Sequence, residues 1–289
     1  MPAELCRICG TGLDRYLVDN GADRHTTCED VDLEEKFRLD LLTDITDVIR
    51  WTDNNSARSR QTAIGPSELG TDCDRRIAYR LADVPESNQW RDPLPAIVGT
   101  SIHAWLEKAI NNFQKVHYLN RWLTEITVWP DPIVTGHCDL YDKDLQAVID
   151  FKTVSPTRLK EWKSKGPSEQ HIDQVNLYAK GLIAQGHPVQ RVALIAIPRS
   201  GWLSEVRVWS GPYQPERAQA CLDRMYGLAD KLIKMGDDLD FEAIPAVPSQ
   251  GCSYCPWYRG GSRKADMSGC CGNNKTAEAK FGKGLIKGV

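Results

Sequence analysis

Residues 136–153 constrain this chain more than any other stretch. Two apolar runs, 136–141 and 147–153, flank the polar residues Asp142, Lys143 and Asp144, the pattern of a β-hairpin. With the turn centred between residues 144 and 145, Asp139 and Asp150 fall opposite one another. Lys152, two residues beyond Asp150, shares that face. Two opposed carboxylates in an apolar strand pair repel and are costly to bury. A divalent cation between them reverses the sign of that interaction. Hard cations such as Mg²⁺ favour carboxylate oxygens together with water and a phosphate oxygen. A neighbouring lysine can orient an attacking water or neutralise charge developing on phosphorus. The alternative is a solvated hairpin whose charges fall together by chance.

Other polar side chains repeat at helical spacing. His103 and Glu107 stand at i, i+4 after Gly99-Thr100-Ser101, where Thr100 or Ser101 would cap a helix. Gln174 and Tyr178 form a second such pair, with His171 nearly on the same face. Imidazole can ligate a metal, and Gln and Tyr can hold a phosphate or a water.

Around these residues the chain reads as α/β. Apolar residues every four positions from Leu33 to Ile49 predict a docking or connecting helix within 31–51, followed by a polar linker over 53–66. A helix from Ser67 through Leu81 comes next, and further helices are expected over 168–185 and 215–235. Segments 125–129, 133–135, 147–151, 191–197 and 205–209 read as strands. The expected domains are 1–30, 31–60, 61–272 and a flexible basic tail, 273–289. No apolar run approaches the roughly 20 residues that span a bilayer, and the amino terminus lacks a basic start and an apolar core. A cytoplasmic protein without a membrane partner is the expectation. The net charge of −3 argues against a protein that simply coats DNA, though not against a local basic groove.

Ten cysteines in such a chain point to metal, because paired Cys-x-x-Cys spacings in reducing cytosol read as ligands. Cys6, Cys9, His25 and Cys28 have the spacing of a closed, structural zinc site, which a segment this short would need in order to fold. Cys252 and Cys255 form the second pair, with Cys270 and Cys271 beyond it and Cys73 about 180 residues upstream. Cys138 and Cys221 lie in apolar segments and read as buried thiols. Of the nine tryptophans, Trp162 and Trp202 lie near loops and are candidates for stacking on bases, with core packing as the alternative. Arg75, Arg76 and Arg80 could meet phosphates or form a solvated face.

Taken in order, Gly99-Thr100-x-x-His103-x-x-x-Glu107, Gly136-x-x-Asp139, Val148-Ile149-Asp150-Phe151-Lys152-Thr153 and Gln174-x-x-x-Tyr178 resemble the RecB-like nucleases of the PD-(D/E)XK superfamily. The resemblance spans residues 67–271 and implies a restriction-endonuclease-like core, a small mixed sheet flanked by helices. It also implies His103, Asp139 and Asp150 as ligands of Mg²⁺ or Mn²⁺, and Lys152 as the catalytic lysine, with Gln174 and Tyr178 supporting. Glu125 is a softer metal candidate, and Glu107 is expected to cap or brace its helix. Relatives with an iron–sulfur staple hold a 4Fe-4S cluster with one cysteine before the core and three after it. Cys73, Cys252, Cys255 and Cys270 fit that order, with Cys271 as the alternative fourth ligand and Zn²⁺ as the alternative occupant. The implied activity is exonucleolytic hydrolysis of DNA in recombination, repair or phage DNA processing. A separate recombinase, helicase or integrase is a possible partner. The competing readings are a CRISPR spacer-acquisition nuclease and a catalytically silent, metal-stapled DNA-binding scaffold.

Overall fold

The computed structural model describes residues 33–55, 64–88, 92–247 and 250–272. The expected zinc ligands Cys6, Cys9, His25 and Cys28, and the 273–289 tail, lie outside them. The chain divides into two units after residue 60. The described part of the first unit is one helix, α1 (Leu33–Asn54). No helix among the described residues is long and apolar enough to cross a membrane.

The second unit is built on a five-stranded sheet in the order β1-β2-β3-β4-β5. Its strands are β1 (Trp122–Asp131), β2 (Val134–Asp142), β3 (Ala147–Val154), β4 (Arg191–Pro198) and β5 (Arg207–Pro212). All neighbours are antiparallel except β3 and β4, which are parallel. A parallel pair needs a crossover, and α5 (Pro156–Lys165) and α6 (Glu169–Ala184) supply it. The remaining helices are α2 (Pro66–Leu69), α3 (Asp74–Leu81), α4 (Leu94–Val116) and α7 (Pro215–Met235).

The β2–β3 register is the one the turn arithmetic gives: Leu140 pairs with Ile149, Tyr141 with Val148 and Asp142 with Ala147. Asp142 organises the turn. Its Oδ1 accepts from the backbone N–H groups of Asp144 and Leu145, both at 3.0 Å. Its Oδ2 accepts from Arg121 Nη2 at 2.6 Å and Trp122 Nε1 at 3.0 Å. This buried carboxylate therefore fixes the hairpin, and the hairpin fixes where Asp139 and Asp150 stand.

Three local expectations are corrected. The expected helix over 67–81 is two short ones: α2 ends at Leu69, and Cys73 stands as the N-cap of α3. Gly70 lies against the backbone carbonyl of Gln170, leaving no room for a Cβ. The helix carrying His103 starts at Leu94, not after Thr100. Pro95 suits its first turn, and Gly99 sits inside it, where a Cβ would stand 3.4 Å from Thr153 Oγ1. That glycine therefore lies within the helix, where α4 faces β3, and not at a helix start. Finally, α5 was not anticipated: Ser155 caps it by accepting from Arg158 N at 3.3 Å, and Trp162 on it is buried, which leaves that tryptophan a core residue.

Two apolar clusters hold the unit together. One lies between the sheet and α5–α6 and includes Val148, Trp162, Val175, Leu182 and Leu194. The other gathers α2, α3, α7 and the 241–265 segment, and includes Leu69, Ile77, Met225, Phe241 and Trp257. Tyr79 stacks on Phe241 with ring centroids 4.2 Å apart. Arg80 is bonded to Glu68 at 3.0 Å and lies over the Trp257 ring, while Arg75 is buried. Neither is a surface contact for phosphate.

Candidate active site

The site forms where β2 and β3 part. The ladder stops at Leu140–Ile149, and one residue further the Asp139 side chain takes the ladder's place: its Oδ2 accepts from Phe151 N at 2.7 Å. Its Oδ1 lies 3.2 Å from Nδ1 of His103, which α4 brings over the sheet. The hydrogen bond to Asp139 raises the pKa of His103, outweighing the opposite effect of burial.

Glu125 completes this group. Ligand atoms of His103, Glu125 and Asp139 all lie within 4.8 Å of one another, so the softer metal candidate stands with the stronger ones. Glu125 has φ +49 in the middle of β1, where the β1–β2 pairing lapses for one position between Thr124–Leu140 and Ile126–Cys138 without a change of register. A left-handed conformation at a glutamate costs roughly 1–2 kcal/mol and persists where the surroundings enforce it, often at functional sites. Burial, reinforced by the Asp139 carboxylate, raises the Glu125 pKa to about 7. Glu107, one turn along α4 from His103, contributes to that rise by like charge.

Asp150 faces a different set of partners. It is 1% exposed, with Oδ2 2.7 Å from Lys152 Nζ and Oδ1 accepting from Gln174 Nε2 at 3.1 Å. Gln174 links the site: its Oε1 accepts from Lys152 Nζ at 2.9 Å, and its Nε2 also donates to Tyr178 OH at 2.9 Å. Burial raises the Asp150 pKa to about 6 against the pull of Lys152, and burial raises that of Tyr178 as well. The partner of Asp150 Oδ2 is the Lys152 ammonium, so both oxygens of this buried carboxylate are engaged.

The packing explains the glycine of Gly136-x-x-Asp139. A Cβ at Gly136 would stand 2.7 Å from Pro66 Cδ and 3.2 Å from Tyr178 Cε1, so the position admits only hydrogen where α2 and α6 close on β2. Cys138 and Cys221 are both buried.

His171 packs against Trp162, with ring centroids 6.4 Å apart, and its buried Nδ1 has no hydrogen-bond partner. Burial first, then the charges of Lys152 and Arg158, lower its pKa to about 3. The unfolded chain therefore binds a proton below about pH 6.5 that the folded chain refuses, so His171 costs stability progressively as pH falls toward 3. Denaturant titrations should show His171→Phe gaining stability relative to the parent as pH drops from 7 to 4. A pH-independent difference would refute this.

The match to known proteins falls on this region. Residues 126–259 match the model of the PD-(D/E)XK nuclease superfamily. The nuclease match takes in Asp139, Asp150, Lys152, Gln174 and Tyr178, while His103 and Glu125 precede it. Among solved structures, SSO0001 is 19% identical, with a TM-score of 0.43 over 74% of this chain and 94% of that one. LHK-Exo, in complex with dAMP, is 11% identical, with a TM-score of 0.43 over 61% of this chain and 90% of that one; the enzyme is an alkaline exonuclease from Laribacter hongkongensis. A phage related exonuclease from Haemophilus somnus 129PT is 12% identical, with a TM-score of 0.39 over 60% and 95%. No curated protein sequence matches the chain.

The cysteines gather at a second place. Cys73, Cys252, Cys255, Cys270 and Cys271 line one cavity at the start of α3. Cys270 is the better seated of the last two: its N–H donates to Trp257 O at 2.6 Å, its carbonyl accepts from Arg259 N at 2.8 Å, and it packs on the core together with Cys255.

Proposed function

We propose that this protein is a metal-dependent deoxyribonuclease that hydrolyses phosphodiester bonds at DNA ends. The observation that carries the reading is the convergence on one end of the β2–β3 hairpin of a His-Glu-Asp group and the Asp150–Lys152–Gln174–Tyr178 network. Exonuclease action rests on the sequence resemblance.

His103, Asp139 and Asp150 would hold Mg²⁺ or Mn²⁺, with Glu125 as an added oxygen donor. A divalent ion there supplies Lewis-acid polarisation of the phosphate and lowers the pKa of water. The chain does the rest. Phe151 N–H fixes Asp139 in one rotamer. Gln174 holds Lys152 and Asp150 together, so that the ammonium is placed where charge develops on the phosphate. Tyr178 orients Gln174 from behind. End-labelled DNA incubated with Mn²⁺ or Mg²⁺ tests this: the parent should release label, and Lys152→Ala should do so about 10²–10³-fold more slowly. Equal rates for the two proteins would refute the assignment.

Metal binding has a signature apart from cleavage. Mn²⁺ at 100 times its Kd should stabilise the fold by about 2.7 kcal/mol, seen as a rise in melting temperature. Glu125→Gln, which removes one charge from the His-Glu-Asp group, should need more Mn²⁺ for the same rise. An unchanged Mn²⁺ dependence would exclude Glu125 from the site.

The cysteine cavity fits a 4Fe-4S cluster held by Cys73, Cys252, Cys255 and Cys270, with Cys271 as the alternative to Cys270. Zn²⁺ is the alternative occupant of the same thiols.

A further inference from the structure

Two arginines share the cysteine cavity, and the hydrolytic site uses neither. Arg75 and Arg76 line it beside Cys73, Cys252, Cys255 and Cys270. Arg75 is 8% exposed. Its Nε donates to Ile244 O at 3.1 Å and its Nη2 to Glu242 O at 3.3 Å. Its Nη1 reaches Cys270 Sγ at 3.9 Å. Arg76 has a buried Nε without a hydrogen-bond partner.

A guanidinium stays charged inside a protein, and an uncompensated buried charge costs several kcal/mol. The carboxylate beside Arg75 belongs to Glu242, whose Oε1 is 3.8 Å from Nη1 and whose side chain is 49% exposed. Protonated thiols would leave this imbalance in place, because a thiol carries no charge. Thiolates bound to iron are anionic, and so is the cluster they hold. The pair of cations therefore matches the loaded state of the cavity better than the empty one.

We propose that Arg75 and Arg76 compensate the charge of a thiolate-bound iron–sulfur cluster and set its reduction potential, Arg75 through an N–H donated to the sulfur of Cys270. The inference rests on the cluster reading given above. Positive charge and N–H donors near cluster sulfurs stabilise the reduced, more negative state and so raise the potential. Arg75 acts on the cluster through its ligand and is a positioning residue.

The test is a dithionite titration of anaerobically purified full-length protein, followed by electron paramagnetic resonance, after iron and sulfide have been assayed. Arg75→Gln should lower the reduced-to-oxidised ratio at a fixed solution potential about tenfold, a shift of about 59 mV for one electron. Arg76→Gln should shift it the same way, and Arg75→Lys, which keeps the charge but not the fork, by less. Glu242→Gln removes the opposing carboxylate and should shift the potential upward. A role for Arg75 confined to packing would move stability without this ordered, two-signed series. Equal potentials in the parent and all variants overturn the proposal and leave the cluster reading intact. Absence of iron and sulfide from the parent overturns both. Where Arg75→Gln does not retain iron, Arg75→Lys and Glu242→Gln decide: opposite shifts support the proposal, and unchanged potentials refute it.

Discussion

Replacing Asp150 by asparagine is expected to slow DNA cleavage by about 10²–10⁴-fold while DNA affinity, read by fluorescence anisotropy without metal, stays close to that of the parent. The variant is nearly isosteric. It keeps an oxygen for Gln174 Nε2, which donates to Asp150 Oδ1 at 3.1 Å, and it sits in the same buried place on β3. What it removes is the negative charge beside Lys152, 2.7 Å away, and an anionic ligand for the metal. Affinity for DNA comes chiefly from phosphate contacts made over a wider surface, so one buried carboxylate contributes little to it. If cleavage survived Asp150→Asn, the hydrolytic reading would fail; if binding fell with cleavage, Asp150 would be maintaining the DNA-binding surface rather than the chemistry.

The Lys152 substitution isolates the other half of the network. Lys152 Nζ is held by Gln174 and Asp150 together, and Lys152→Ala leaves the carboxylates to bind metal. The expected outcome is a protein that still gains thermal stability from Mn²⁺ yet cleaves poorly. Asp150→Asn should lose much of both. That contrast separates residues that hold the ion from one that serves the phosphate.

The hairpin register, and with it the opposition of Asp139 and Asp150, was legible because a polar turn between two alternating runs leaves few ways to pair them. Helices α6 and α7 were legible for a similar reason, ending in a glycine with φ +88 at Gly186 and +64 at Gly236. What escaped depends on contacts between distant segments. The helix start at Leu94 was hidden because Gly99 and Thr100 look like a stop and a cap. Gly99 instead sits inside the helix and faces Thr153, 54 positions away. The break at Gly70 answers to the Gln170 carbonyl rather than to any local signal. Arg75 and Arg80 looked like a phosphate-binding row, yet their partners Ile244, Glu242 and Trp257 lie far along the chain. The strain at Glu125 had no signature in sequence, since glutamate is ordinary in a strand and only its backbone angle, φ +49, reveals it.

Cys73→Ser should be the most destabilising of the single changes considered. Cys73 begins α3 as its N-cap, and Cys252, Cys255 and Cys270 come from the far end of the second unit, all on one cavity. A shared inorganic group across them closes a loop of about 180 residues. The chain-entropy relation for cross-links then assigns the closure roughly 5 kcal/mol, comparable to the whole stability of many domains. The apolar cluster joining α3 to Phe241 and Trp257 already holds the ends together in the folded state, so the staple acts mainly on the unfolded chain. Urea denaturation under anaerobic conditions should therefore show the midpoint falling sharply in Cys73→Ser, with the slope rising as the unfolded chain opens. Cys221→Ser provides the control, because its buried sulfur lies in the core and outside the cavity; it should show a smaller fall and no change of slope. Parity between the two variants would mean that Cys73 is only a packed thiol, and the staple would have to be abandoned whatever metal the protein carries.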